Sequence, residues 1–181
     1  MSDLITSLRG MTITGTADYT IGTVSYWSDD QLQTILDSHR ADVQFYALEP
    51  NPWQDVGSVV YKEFLSGLEN LESGTVTYLQ TSVGSSVGTA NYSIDYNRGI
   101  VTFAADQNGT AYYLTSRTYD MNGAAADVWK KKAAQVALRF DFSTDNHSMK
   151  TSQIHDHYIK QAEYYDSMKP IQSVTIYRGD T

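Results

Sequence analysis

The apolar period of this chain changes twice. It is helical up to about residue 39, shifts to alternating, β-prone runs between Val43 and Ser116, and becomes helical again from Asp120 to Met168. A helical period buries one stripe of a helix and an alternating period buries one face of a strand. Blocks of helix and strand in succession, rather than in strict alternation, point to an α+β fold.

The first helical block begins with a short segment, Asp3 to Arg9, with Gly10 as its expected stop. The stretch from Thr12 to Ser25 is rich in Thr and Gly and reads as extended. Ser28-Asp29-Asp30-Gln31 then has the capping-box pattern, with two acids in the first turn to complement the helix dipole. Leu32, Ile35, Leu36 and His39 follow at helical spacing. His39 is expected at a cap or an interface.

In the middle block, Val43–Leu48, Val59–Leu65, Thr75–Thr81, Ala90–Tyr96, Gly99–Ala104 and Thr110–Ser116 are rich in β-branched and aromatic residues. The first of these ends at Glu49-Pro50-Asn51-Pro52. Asn97-Arg98-Gly99 and Asp106-Gln107-Asn108-Gly109 are turn signals that predict an antiparallel meander. Ser82 to Gly88 reads as a flexible loop tip.

In the last block, Asp120 is positioned to cap a helix running through Asp141. Ala124 to Ala126 and Ala133-Ala134 give this helix small faces, and Val128, Trp129, Val136 and Phe140 supply bulk. Lys130 to Lys132 form a basic cluster, either a solvated face or a salt-bridged subunit contact. Ser143-Thr144-Asp145-Asn146 breaks the chain. A final helix from about Thr151 to Met168 carries the stripe Ile154, Tyr158, Gln161, Tyr165, Met168. Pro170 ends it, and Ile171 to Tyr177 reads as one more strand. The expected architecture is a helical bundle, made of the N-terminal helix and the C-terminal helix pair. An antiparallel β-meander is inserted at 43–116, and a C-terminal strand or tail occupies 170–181. The whole of 1–181 forms a single domain in this reading.

The chain has 181 residues and a hydrophobic fraction of 41%, enough for an ordinary core. No run approaches the length of a membrane-spanning helix, so no membrane partner is expected. Met1-Ser2-Asp3-Leu4-Ile5 has no basic region followed by an apolar one, so no secretory signal is expected. The absence of cysteine excludes disulfides, thiol nucleophiles and thiolate metal sites. A net charge of −8 argues against gripping phosphates, but suits a surface past which nucleic acid slides. Fourteen tyrosines fit either a Tyr-rich sheet or subunit interfaces.

Catalytic chemistry finds little support. His147, His155 and His157, with Asp145 and Asp156 nearby, form the one tempting metal cluster. His155 and His157 fall in a predicted helix, where positions i and i+2 point about 200° apart and do not easily share an ion. There is no Gly-x-Ser-x-Gly elbow, no Walker loop and no dinucleotide fingerprint. Asp29 and Asp30 are more simply helix-start residues than a glycosidase pair. No enzyme, cofactor or metal site is expected.

Several segments carry a resemblance. Tyr119-Asp120-Met121-Asn122-Gly123-Ala124-Ala125-Ala126-Asp127-Val128-Trp129, then Phe140-Asp141-Phe142-Ser143-Thr144-Asp145, then Ser152-Gln153, resemble the C-terminal helical pair of tailed-bacteriophage head–tail connector (neck adaptor) proteins. Trp27-Ser28-Asp29-Asp30-Gln31-Leu32 and Ile35 to Arg40 look like the opening helix of the same group. The matched pieces cover about half the chain, and their order is more specific than any piece alone.

The resemblance implies a virion structural protein in the neck between capsid and tail, assembled in the host cytoplasm. Its partners would be the portal protein above and a neck or tail protein below. It would form a homo-oligomeric ring, commonly of twelve copies, through which genomic DNA passes without sequence-specific binding. Twelve copies at −8 each bring about a hundred net negative charges, suiting a channel that does not hold DNA. Ring contacts are expected on the last two helices, at Ala125, Lys131, Tyr158 and Tyr165. Portal contacts are expected on the tail, at Ile171, Val174, Ile176, Tyr177 and Arg178. A neck stopper or tail-completion protein, a surface-binding β module of a phage particle, and a metal-dependent hydrolase using the His cluster are the competing readings.

Overall fold

The structure, a computed structural model, describes residues 1–16, 19–21, 24–137, 142–144, 147–149 and 151–169. The chain divides into two compact units, Met1–Met121 and Asn122–Thr181.

The first unit opens with α1 (Ser2–Thr12) and the hairpin β1 (Tyr19–Ile21) and β2 (Val24–Tyr26). Helix α2 (Asp29–Ser38) follows, then β3 (Arg40–Ala47), β4 (Glu49–Asp55), β5 (Ser58–Leu65) and β6 (Tyr78–Thr81). After a short 3-10 turn come β7 (Tyr92–Asp95), β8 (Ile100–Phe103) and β9 (Tyr112–Tyr119). Helix α1 runs through Gly10 and stops at Ile13, a left-handed C-cap residue whose N–H bonds back to Arg9 O. The capping box of α2 forms as read from sequence. Ser28 Oγ accepts from Gln31 N–H, and the Gln31 side chain accepts from Ser28 N–H. Leu32, Ile35 and Leu36 are buried, as are Leu4, Ile5 and Leu8 of α1. Arg9 ties the helices together, donating to Trp27 O at 2.9 Å and to Asp29 Oδ1 at 2.5 Å, and bonding to Gly15 O.

The strands form a three-stranded antiparallel sheet in the order β3-β9-β6 and a four-stranded one in the order β4-β5-β8-β7. One core lies between them. Phe64, Val101 and Phe103 enter it from the four-stranded sheet, and Leu79, Tyr112 and Leu114 from the three-stranded sheet, with Leu48 and Leu71 from loops. Phe64 meets both Phe103 and Tyr112 edge-on, at 5.4 and 5.5 Å, a favoured aromatic geometry.

The second unit contains α3 (Met121–Val136, its first residue at the boundary), the hairpin β10 (Phe142–Thr144) and β11 (His147–Met149), and α4 (Thr151–Ser167). Within it Trp129 of α3 packs on Tyr158 of α4, with ring centroids 5.3 Å apart. Asn122 Nδ2 donates to Met168 O at 3.1 Å, and Lys130 Nζ lies 3.6 Å from Asp166. Contacts of 122 with 168 and of 129 with 158 make the helices antiparallel.

The expected helical bundle with an inserted meander is therefore corrected. The fold is α+β but sheet-rich, with four helices and two principal antiparallel sheets among the described residues. The meander fails at the Asp106–Gly109 turn. That turn carries the chain from β8 into the other sheet, where β9 lies between β3 and β6. Two facing sheets each bury one face, whereas one meander leaves its core face to be covered by helices alone. Ser143 and Thr144 of the expected chain break lie on β10, paired with β11, and Asp145 and Asn146 lie outside the described residues. Phe140, the end of the long helix near Asp141, and the tail 170–181 lie outside the described residues.

Candidate interaction surface

The feature that sequence reading missed is an arm. All seven residues of β4 are exposed, and over Ser58–Val60 the ladder partner of β5 is β4. Asp55-Val56-Gly57-Ser58 turns the hairpin with Val56 at φ 42 and Gly57 at φ 87, both left-handed. This is the turn that matches strand twist, though its usual first residue is Asn, Asp or Gly. The signal in the sequence was therefore a disguised one, Val-Gly where Asn-Gly is ordinary. Trp53 pairs with Val60 and Gln54 with Val59, so Trp53 and Val59 lie on opposite faces. The tip is apolar on both faces and at its end.

The root of the arm is well held. Asp106 Oδ1 accepts from Tyr61 N–H at 2.9 Å and from Asn108 N–H at 3.0 Å, and Gln107 N–H donates to Tyr61 O. These two N–H donors, Tyr61 first, hold the Asp106 carboxyl below the usual carboxylate range. A second exposed apolar patch lies on β3. The β3–β9 register slips between Val43 and Tyr46, and Phe45 occupies this bulge at φ 51. Its N–H donates to Thr115 Oγ1, and its ring stacks on Tyr113 at 4.1 Å, almost parallel. Tyr46 is exposed next to it.

Along β9 runs a polar brace. Tyr119 OH donates to Glu72 Oε2 at 2.9 Å, and Arg117 reaches Glu72 at 3.4 Å and Asp42 at 3.6 Å. Burial, and then the bond to Glu72, push the Tyr119 phenol up from its ordinary value. The group is positioned to hold the loop around residue 72 against β9, with Thr77 and Ser116 hydroxyls bonded 2.6 Å apart beside it.

The site residues read from sequence are scattered. Ala125 is fully buried and Lys131 exposed. Tyr158 is half-buried against Trp129, and Tyr165 is half-buried with its ring edge-on to Tyr164. In the basic cluster, Lys130 pairs with Asp127 and Asp166, and Lys132 sits 4.9 Å over the Trp129 ring. On α4 the most buried side chain is Ala162, while Met168 of the expected stripe is exposed. Ile171, Val174, Ile176, Tyr177 and Arg178 lie outside the described residues. So does the His147 side chain; His155 and His157 are both on α4. Among the described residues, no group of three His, Asp or Glu is placed to hold a metal ion, and no helix is long and apolar enough to cross a membrane. The Ser82–Gly88 segment folds back on β6 through Val87 N–H to Leu79 O and Thr81 N–H to Ser85 O, leaving Val83 exposed.

No protein-family model matches this chain, and no curated protein matches it.

Proposed function

We propose that the chain is a virion structural protein that assembles as a ring beneath a phage portal, joins head to tail and extends the DNA channel. It acts by binding, not by catalysis. The observation that carries this is the arm, a hairpin with a firm root and an exposed tip apolar on both faces. Large exposed apolar groups on a projecting element mark protein contacts rather than small-molecule sites. The order of connector-like segments along the chain adds support, and most of their bulky residues, including Trp27, Leu32, Leu36, Tyr119 and Trp129, are core positions. The acidic net charge suits a lumen that DNA slides through. In this reading the tail residues Ile171 to Arg178 contact the portal, and Lys131, Tyr158 and Tyr165 face neighbouring copies.

The test mixes purified protein with the portal protein and images the product. A stacked ring on the portal, with monomer or weak oligomer in the absence of portal, is the expected result. Monomer in both conditions overturns the reading.

A further inference from the structure

Asparagine followed by glycine is the pair most prone to lose its side-chain amide, because glycine sets no side chain beside the backbone nitrogen that attacks it. The sequence holds two such pairs, Asn108-Gly109 and Asn122-Gly123. The fold treats them differently. Asn122 and Gly123 lie within α3, and the Asn122 amide donates to Met168 O at 3.1 Å. Asn108 and Gly109 form an exposed turn between β8 and β9, at φ 50 and φ 72. Thr110 N–H donates to Gln107 O across that turn at 2.9 Å, and the two positive φ values make it type I′. Among the described residues, neither the Asn108 side-chain amide nor the Gly109 N–H takes part in a hydrogen bond. Electrophile and nucleophile are both free to react.

Reaction needs Gly109 N to reach Asn108 Cγ, in a ring that also holds Cα, Cβ and the main-chain carbonyl carbon. In an L residue that ring closes at ψ of about −120°, the value found at the first central position of a type II′ turn. Flipping the peptide plane between residues 108 and 109 converts type I′ into type II′. Asn108 already has the positive φ that both turns need, the bond from Thr110 to Gln107 survives the flip, and Gly109 tolerates the change in its own φ. Helical Asn122 is instead held at ψ of about −42°, and the same flip would break hydrogen bonds of α3.

We propose that Asn108 is a site of spontaneous deamidation in the folded protein, and that its product loosens the β4–β5 hairpin. Gly109 N forms a bond to Asn108 Cγ and gives its proton to water. The amide nitrogen leaves as ammonia, and a cyclic imide remains. Water then opens the ring. Attack at Cγ gives aspartate. Attack at the main-chain carbon gives isoaspartate, whose backbone is one carbon longer. The net change is amide plus water to carboxylate plus ammonium. The same turn clamps the hairpin. Gln107 N–H donates to Tyr61 O, and Asp106 Oδ1 accepts from Tyr61 N–H and Asn108 N–H. Isoaspartate lengthens the chain inside this clamp and sets a free α-carboxylate near the Asp106 carboxylate, where like charges repel.

The intact chain is aged at mildly alkaline pH, folded and in urea, and its peptides are mapped by mass. In urea the two Asn-Gly peptides should convert at similar rates. In the folded chain the Asn108 peptide should convert at least about tenfold faster than the Asn122 peptide, as a mixture of aspartate and isoaspartate. Equal rates in the folded chain, or an Asn108 that reacts only in urea, overturn the site. Asn108→Gln, which must close a larger and slower ring, should remove the new acidic species from the ion-exchange profile of the aged folded chain. A profile that keeps it overturns the assignment to Asn108. The isoaspartate form is then compared by hydrogen exchange with Asn108→Asp, which has the added charge on a normal backbone. The Tyr61 amide should exchange faster in the isoaspartate form. Equal exchange in the two overturns the loosening.

Discussion

At the scale of single residues, two glycines illustrate opposite constraints. Gly99 closes the β7–β8 turn at φ +63, and a Cβ there would lie 2.0 Å from Leu68 O and 2.2 Å from Ser66 Oγ. Both the dihedral and the space demand glycine. Ser66 N–H and Oγ both donate to Gly99 O, so the turn has no room to retreat. Gly99→Ala should cost at least about 2 kcal/mol. Gly10 is helical, and nothing stands within 4 Å of the Cβ it lacks. Gly10→Ala should stabilise by roughly 0.5–1 kcal/mol. Denaturant titration of both variants checks the pair, and equal small effects would show that the Gly99 turn shifts freely. The Asn97-Arg98-Gly99 turn was legible because its residue types name it. The expected helix stop at Gly10 was not, because Ile13 takes the left-handed cap three residues later.

Among elements, α2 separates local signals from packing. Its capping box satisfies helix-start N–H groups, and its stripe of Leu32, Ile35 and Leu36 is buried. Ser28→Ala removes one cap acceptor and should cost about 1 kcal/mol. Leu36→Ala removes a side chain with no exposed surface and should cost about 2–5 kcal/mol, because a core cavity adds to the lost burial. Urea unfolding gives both values. A cap effect as large as the Leu36 effect would mean that α2 is held by its own start rather than by its neighbours. The β4–β5 hairpin is the opposite case. Pro50, Pro52 and the Val-Gly turn disguise its first strand, so the β-run beginning at Val43 seemed to end where a second strand begins.

For the whole molecule, charge sets the terms of assembly. Each copy carries −8, so copies repel one another at low ionic strength. The screening length falls from about 30 Å at 0.01 M salt to about 8 Å at 0.15 M. A contact made through the exposed Trp53, Val56 and Val59 would be mainly apolar and would persist as that repulsion is screened. Self-association should therefore rise as salt goes from about 0.01 to 0.15 M, read by sedimentation velocity on the intact chain. A steady fall over the same range would mean that ion pairs, rather than the apolar tip, hold the copies together.

Periodicity and capping are properties of neighbouring residues, and they made most of the helices and the longer core strands legible, though not β4 or the short hairpin strands. Ser28 to Gln31, the β5 and β9 runs and the two C-terminal helices all follow from such local rules. Tertiary structure decided the partners. An alternating strand records which of its faces is apolar, but not the strand it lies beside, and β9 joins β3 and β6 because two facing sheets bury both apolar faces at once. It also decided exposure. Phe45, Trp53 and Val56 read as ordinary apolar residues until the fold places them outside the core, at a bulge, on an arm and at a turn. Burial is set by contacts distant along the chain, and no local pattern carries that information.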